Sequence, residues 1–119
     1  MKSIEVKNFT TDADEVANPT DRAKVESVNV GGQRIMKITL QPGWKWSDDI
    51  KPLVGTHSCQ ANHLGIIEKG TITATHDDGS KETYTAGDAY SIKPGHDAWV
   101  NGDTSAVAYE FHGLWGETG

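Results

Sequence analysis

Thirteen glycines and four prolines are spread along 119 residues, and they cut the apolar runs short. Short apolar segments bounded by such breakers have the spacing of an all-β sandwich or barrel, not of helices. The length is that of one domain, large enough to bury a core without disulfide staples. The clearest hairpin joins residues 71–76 to 81–85 through Asp78-Gly79, residues that accept left-handed turn geometry. A second hairpin joins 24–30 to 34–40 through Gly31-Gly32.

Further strands are expected at 2–9, where Ile4 and Val6 share a face, and at 57–60, 64–68, 89–92, 99–100 and 106–111. Residues 10–22 are polar and acidic, hold Asn18-Pro19 and read as a loop with one helical turn at most. The resulting division is an N-terminal strand and acidic loop over 1–23, a barrel over 24–112 and a loose tail over 113–119. With about nine or ten short strands, a jelly roll is a natural way to hide so many edges.

Composition narrows the partners. Eleven basic against seventeen acidic residues give a net charge of −6, which argues against nucleic acid and against anionic membranes. No run of about 18 apolar residues is present to span a bilayer. Charge and apolarity alternate over Met1–Lys7, so no signal-peptide core is seen. One cysteine rules out an internal disulfide and suits a reducing compartment, so a cytoplasmic location is expected.

The chemistry-bearing residues gather in two glycine-framed stretches. The first is His57-Ser58-Cys59-Gln60-Ala61-Asn62-His63, followed by Gly70; the second runs from Gly87-Asp88 to Pro94-Gly95-His96. Imidazole and thiolate suit zinc, iron, nickel or copper better than magnesium or calcium. Two neutral imidazoles and one thiolate leave a divalent ion with an open position, the arrangement of catalytic sites. The bland alternative is a small buried cysteine with two hydrogen-bonded histidines.

These two stretches resemble the paired motifs of the cupin superfamily, over about residues 25–111. The family's first motif has two histidines one residue apart, a glutamate four positions later and a glycine after six more residues. Counted back from Gly70, His63 falls on the glutamate position, Cys59 on the second histidine and His57 on the first. The second motif ends in a histidine three residues after its glycine, where this chain has Ala98. His96 lies two residues earlier, so it shares the facing of that position on a strand. The resemblance places it at the barrel mouth, apart from the other three residues. It is closest to small bacterial cupins with stretches similar to residues 42–47, 58–60 and 94–99. It implies a single-domain cupin jelly roll, a divalent metal on His57, Cys59 and His63 with His96 as a further candidate, and a homodimer paired through residues 2–9.

Trp44 and Trp46 share one face of an extended segment, and Trp99 follows the second motif, so these three indoles are expected to line a substrate pocket. Core filling is the competing role. Glu68 and Glu110, on strands, are expected at the surface, His76 in solvent, and Tyr84, Tyr90 and Tyr109 as strand formers. Two functions follow. One is a metal-dependent isomerase, lyase, hydrolase or oxygenase acting on a small organic molecule. The other is a metal-free binding or sensor module with a tryptophan-lined pocket.

Overall fold

The structure is a computed structural model, and it describes residues 3–112 and 115. Two antiparallel sheets face each other across the core, in a jelly-roll arrangement. The larger has the order β1 (Glu15–Thr20), β2 (Ala23–Val30), β3 (Gln33–Leu40), β9 (Ala106–His112), β4 (His63–Lys69), β7 (Ala89–Ile92). The smaller has the order β6 (Lys81–Thr85), β5 (Thr71–His76), β8 (His96–Val100). No ladder among the described strands joins the two sheets into one closed cylinder.

The turns do what their glycines require. Gly31 and Gly32 have φ of 58° and 75°, the left-handed pair that lets β2 and β3 twist into register from Val30↔Gln33 to Ala23↔Leu40. Two four-residue helices, α1 (Trp46–Asp49) and α2 (Lys51–Val54), fill the connection between β3 and β4. Among the described residues no helix is long and apolar enough to cross a membrane.

The N-terminal region departs from the sequence reading. Residues 3–9 form no strand, and the segment read as a loop carries β1 instead. Pro19 has no N–H to give a ladder, so β1 is an edge strand, and its register slips between Ala17 and Thr20. Residues 3–14 are tied down by other means. Phe9 packs on Tyr109 at 5.3 Å, and Asp14 accepts hydrogen bonds from Lys7 and from the Asn29 backbone. Of the expected tail at 113–119 only Trp115 is described; it stacks on Trp44 at 5.6 Å, and the rest lies outside the described residues.

The core lies between the sheets. Val25, Met36, Ile38, Ile67 and Ala108 come from the large sheet, and Ile72, Ala74, Ala98 and Val100 from the small one. Trp44, Trp46 and Ile50 close one end. Alternation along β8 and β9 is strict: His96, Ala98 and Val100 are buried, as are Ala106, Ala108 and Glu110.

Met36 has no exposed surface and sits in the middle of β3. We expect Met36→Ala to cost about 2–5 kcal/mol, since the space left cannot fully collapse. Val16→Ala, on the outer edge strand, should change stability by no more than about 0.5 kcal/mol. Urea denaturation of both variants checks the contrast.

Candidate metal centre

Backbone pairing brings Cys59 and His96 together. Cys59 N–H donates to the His96 carbonyl at 2.7 Å, and Gly95 N–H donates to the Cys59 carbonyl at 2.7 Å. This isolated antiparallel bridge is the only β pairing that residues 57–60 make among the described residues. Gly95 permits it: φ is +104°, and a Cβ there would lie 3.2 Å from the His76 ring. His63 opens β4, opposite Ile92, and its side chain turns into the same space.

The ligand-type atoms of Cys59, His63 and His96 all lie within 4.8 Å of one another, and all three residues are buried. Cys59 Sγ is 3.7 Å from His63 Nε2, and the two imidazoles meet edge to face at 5.0 Å. Each ring's other nitrogen is occupied. His63 Nδ1 bonds Glu110 Oε1 at 2.7 Å, and His96 Nδ1 donates to the Lys93 carbonyl at 2.8 Å. That arrangement turns Nε2 of both rings toward the Cys59 side of the pocket.

Glu110 organises the centre from β9. Tyr90 donates to its Oε2 at 2.6 Å, so both carboxylate oxygens are held. Room for this group comes from Gly65, which pairs with Glu110 across the ladder. A Cβ on Gly65 would sit 2.8 Å from the Glu110 side chain, 2.9 Å from the Tyr90 hydroxyl and 2.4 Å from the Tyr109 carbonyl.

The electrostatics follow from this geometry. Burial works against a charged His63 ring, but the Glu110 carboxylate and the Cys59 sulfur bonded to it outweigh burial and raise its pKa. Burial likewise opposes ionisation of Cys59, yet hydrogen bonds and charge from His63 and His96 lower the thiol. The metal-free pocket therefore favours a thiolate beside an imidazolium. Tyr90 and Tyr84 are pushed up by burial and then by Glu110, and both stay protonated.

Placement of the remaining candidates is mixed. His57 is exposed and outside the cluster, because residues 57–58 are a bend and no strand alternation turns the ring inward. His96 does not stand apart at the mouth; it is packed against Cys59 and His63. Trp44 and Trp46 line the interior with His63, His96, Tyr90 and Glu110. Trp99 lies on the opposite face of β8, half-buried, with Lys45 Nζ 5.3 Å and Lys81 Nζ 5.9 Å from its ring. It does not line the interior because residues 98 and 100 take the inward positions. His76 is not free in solvent but bonds the Pro94 carbonyl at 2.8 Å, and His112 bonds the Asn62 carbonyl at 2.7 Å.

Two spaces adjoin the centre. The interior cavity is small, about 30 Å³. An outer vestibule of about 270 Å³ lies against β5, β6 and β7 and shares Ile92 and His96 with the interior.

The architecture is similar to solved structures at low sequence identity. A Cupin 2 conserved barrel domain protein from Salinispora arenicola superposes with a TM-score of 0.60, at 15% identity over 92% of this chain and 87% of that one. An RmlC-like cupin from Shewanella frigidimarina gives 0.56, at 17% identity over 93% and 95%. A protein of unknown function from Rhizobium leguminosarum gives 0.61, at 15% identity over 90% and 96%. No protein-family model matches the sequence, and no curated protein matches it.

The Glu110–His63 pair gives a direct check. In metal-free Glu110→Gln the anion that favours the imidazolium is gone, so His63 should titrate at lower pH than in the parent. The ring's Hε1 resonance, followed by NMR across the pH range, reads that shift; an unchanged midpoint would exclude Glu110 as its cause.

Proposed function

We propose that this chain, whose fold is that of the cupin barrels, binds a divalent transition metal through Cys59, His63 and His96 and presents it to a small organic molecule. The observation that carries this reading is the convergence of one sulfur and two imidazoles whose Nδ1 atoms are already engaged. Bond lengths of about 2.0–2.3 Å at a tetrahedral ion set ligand separations near 3.3–3.7 Å. The sulfur–nitrogen distance of 3.7 Å is in that range. A carboxylate behind a ligating histidine is also the usual support for such a ligand.

The ligand chemistry suits zinc, iron, nickel or copper. When bound, an ion in this setting supplies Lewis acidity toward a carbonyl or toward water. The chain's own contribution is positional. Glu110 holds His63 against rotation, Lys93 holds His96 through its carbonyl, and the apolar walls exclude bulk water. The vestibule, meeting the interior at Ile92 and His96, is the route for a ligand.

A net charge of −6 supports a partner that is neither nucleic acid nor an anionic membrane, and the lone cysteine supports a cytoplasmic setting. Self-association into a homodimer through residues 2–9 remains part of this reading, and the exposed side chains of Ile4 and Val6 on that segment are consistent with it. A second reading, a metal-free binding module, is favoured by Trp44 and Trp46, which line the same cavity. In that case the tryptophan fluorescence response to a ligand would survive chelation.

Protein loaded with zinc or iron(II) and then desalted should retain about one equivalent by elemental analysis. His63→Ala, His96→Ala and Cys59→Ser should each retain far less, and His57→Ala should match the parent. Cobalt(II) protein should carry a thiolate-to-metal charge-transfer band that Cys59→Ser lacks. Loss of metal from His57→Ala equal to that from His63→Ala would refute this ligand set.

The raised His63 pKa and the lowered Cys59 pKa add a second signature. These opposed directions favour a proton held on the His63 ring rather than on the Cys59 sulfur before metal binds, near pH 8. Zinc binding should therefore release about one proton there. Calorimetry in buffers of different ionisation enthalpy reads that number, and a value near zero would contradict the imidazolium assignment.

A further inference from the structure

Three buried side-chain polar atoms among the described residues have no hydrogen-bond partner: Trp44 Nε1, Trp46 Nε1 and Asn62 Oδ1. Two of the three are indole donors of residues that line one cavity. Trp44 and Trp46 are 3% and 2% exposed, and both line the interior together with His63 and His96. An indole N–H can only donate, and leaving it buried and unpaired costs about 1–3 kcal/mol. Aromatic residues chosen solely to fill a core need no N–H, and phenylalanine or leucine would avoid the penalty.

Neither indole N–H finds a partner in the surrounding wall. Ile38, Leu40, Ile72 and Ala98 are apolar, and the one carboxylate, Glu110, is engaged by His63 and Tyr90. The cavity of about 30 Å³ has room for roughly two water-sized groups, at the ~10–15 Å³ that each requires. Two oxygens of one organic group are of that size.

We propose that the interior of this barrel takes the carbonyl-type oxygens of a small organic molecule, with the Trp44 and Trp46 indole N–H groups donating to them. This deepens the metal-site reading by naming the substrate chemistry: a carboxylate or carbonyl whose oxygens face two indole donors beside the His63 and His96 rings. The aliphatic remainder lies toward the vestibule, which Ala74, Ile92 and Lys93 line. The location rests on the same cavity as the metal site, but the donors do not depend on an ion being bound.

Full-length protein with ¹⁵N-labelled tryptophan tests the proposal, its indole peaks assigned with Trp44→Phe and Trp46→Phe. Sodium acetate and acetone are the probes, each titrated into metal-free and zinc-loaded protein. The Trp44 and Trp46 indole resonances should move downfield and saturate together, while Trp99, on the outer face, stays in place. Movement with acetate alone assigns a carboxylate, and movement with acetone alone a neutral carbonyl; either supports the inference. Trp46→Phe should weaken the midpoint read at Trp44 by about five- to tenfold. Unmoved indole peaks with both probes, in both forms of the protein, would overturn the proposal in favour of trapped water. Movement of one indole only would overturn the two-donor geometry. Movement without any zinc uptake would leave this inference standing while the metal-site reading fails, and zinc uptake with static indoles would do the reverse.

Discussion

The short hydrogen bond that His63 Nδ1 donates to Glu110 is the interaction on which the interior depends. A carboxylate buried between two sheets is tolerated only when its charge is met, and removing a partner from such a pair costs about 3–5 kcal/mol. Here His63 and Tyr90 meet it from β4 and β7, so one side chain on β9 ties three strands of the large sheet at a single point. The same bond fixes which nitrogen of His63 faces the cavity. Gly65 is the residue that makes this possible, because any side chain there would occupy the volume of Glu110. Packing and the orientation of the His63 ring thus follow from one carboxylate and one missing Cβ.

The fold was legible because glycine and proline mark strand ends by backbone geometry, whatever the core does. Gly31-Gly32 and Gly79 sit in the turns expected of them, with positive φ. The second glycine-framed stretch was legible too, since a two-residue step along β8 keeps His96 on the buried face that Ala98 shares. His57 failed for the converse reason. Counting back from Gly70 assumes regular strand over 57–60, but only Cys59 is bridged there, and a bend does not alternate. The N-terminal strand was misplaced because Pro19 reads as a loop signal, yet an edge strand tolerates it.

Glu110 was hidden by composition. On β9 one face carries Ala106, Ala108 and Glu110, the other Val107, Tyr109 and Phe111. Hydrophobicity alone favours the second face as the core. The first face is nonetheless the buried one, and the bare Gly65 opposite Glu110 leaves space for the carboxylate. A better signal was available in Gly65 on β4, whose missing side chain leaves room for Glu110 opposite it on β9.

The two spaces around the centre divide the labour. An interior of about 30 Å³ cannot hold a whole substrate, whereas the vestibule of about 270 Å³ can hold the body of a small one. They share Ile92 and His96 as wall residues, which puts the outer space next to the centre. Trp99 stays out of this division; it is half-buried on the outer face of β8, with Lys45 and Lys81 Nζ at 5.3 and 5.9 Å from its ring. On the proposed reading, specificity comes from what the interior offers to the polar end of a ligand, the Trp44 and Trp46 indoles and the His63–His96 pair, rather than from the shape of a large pocket.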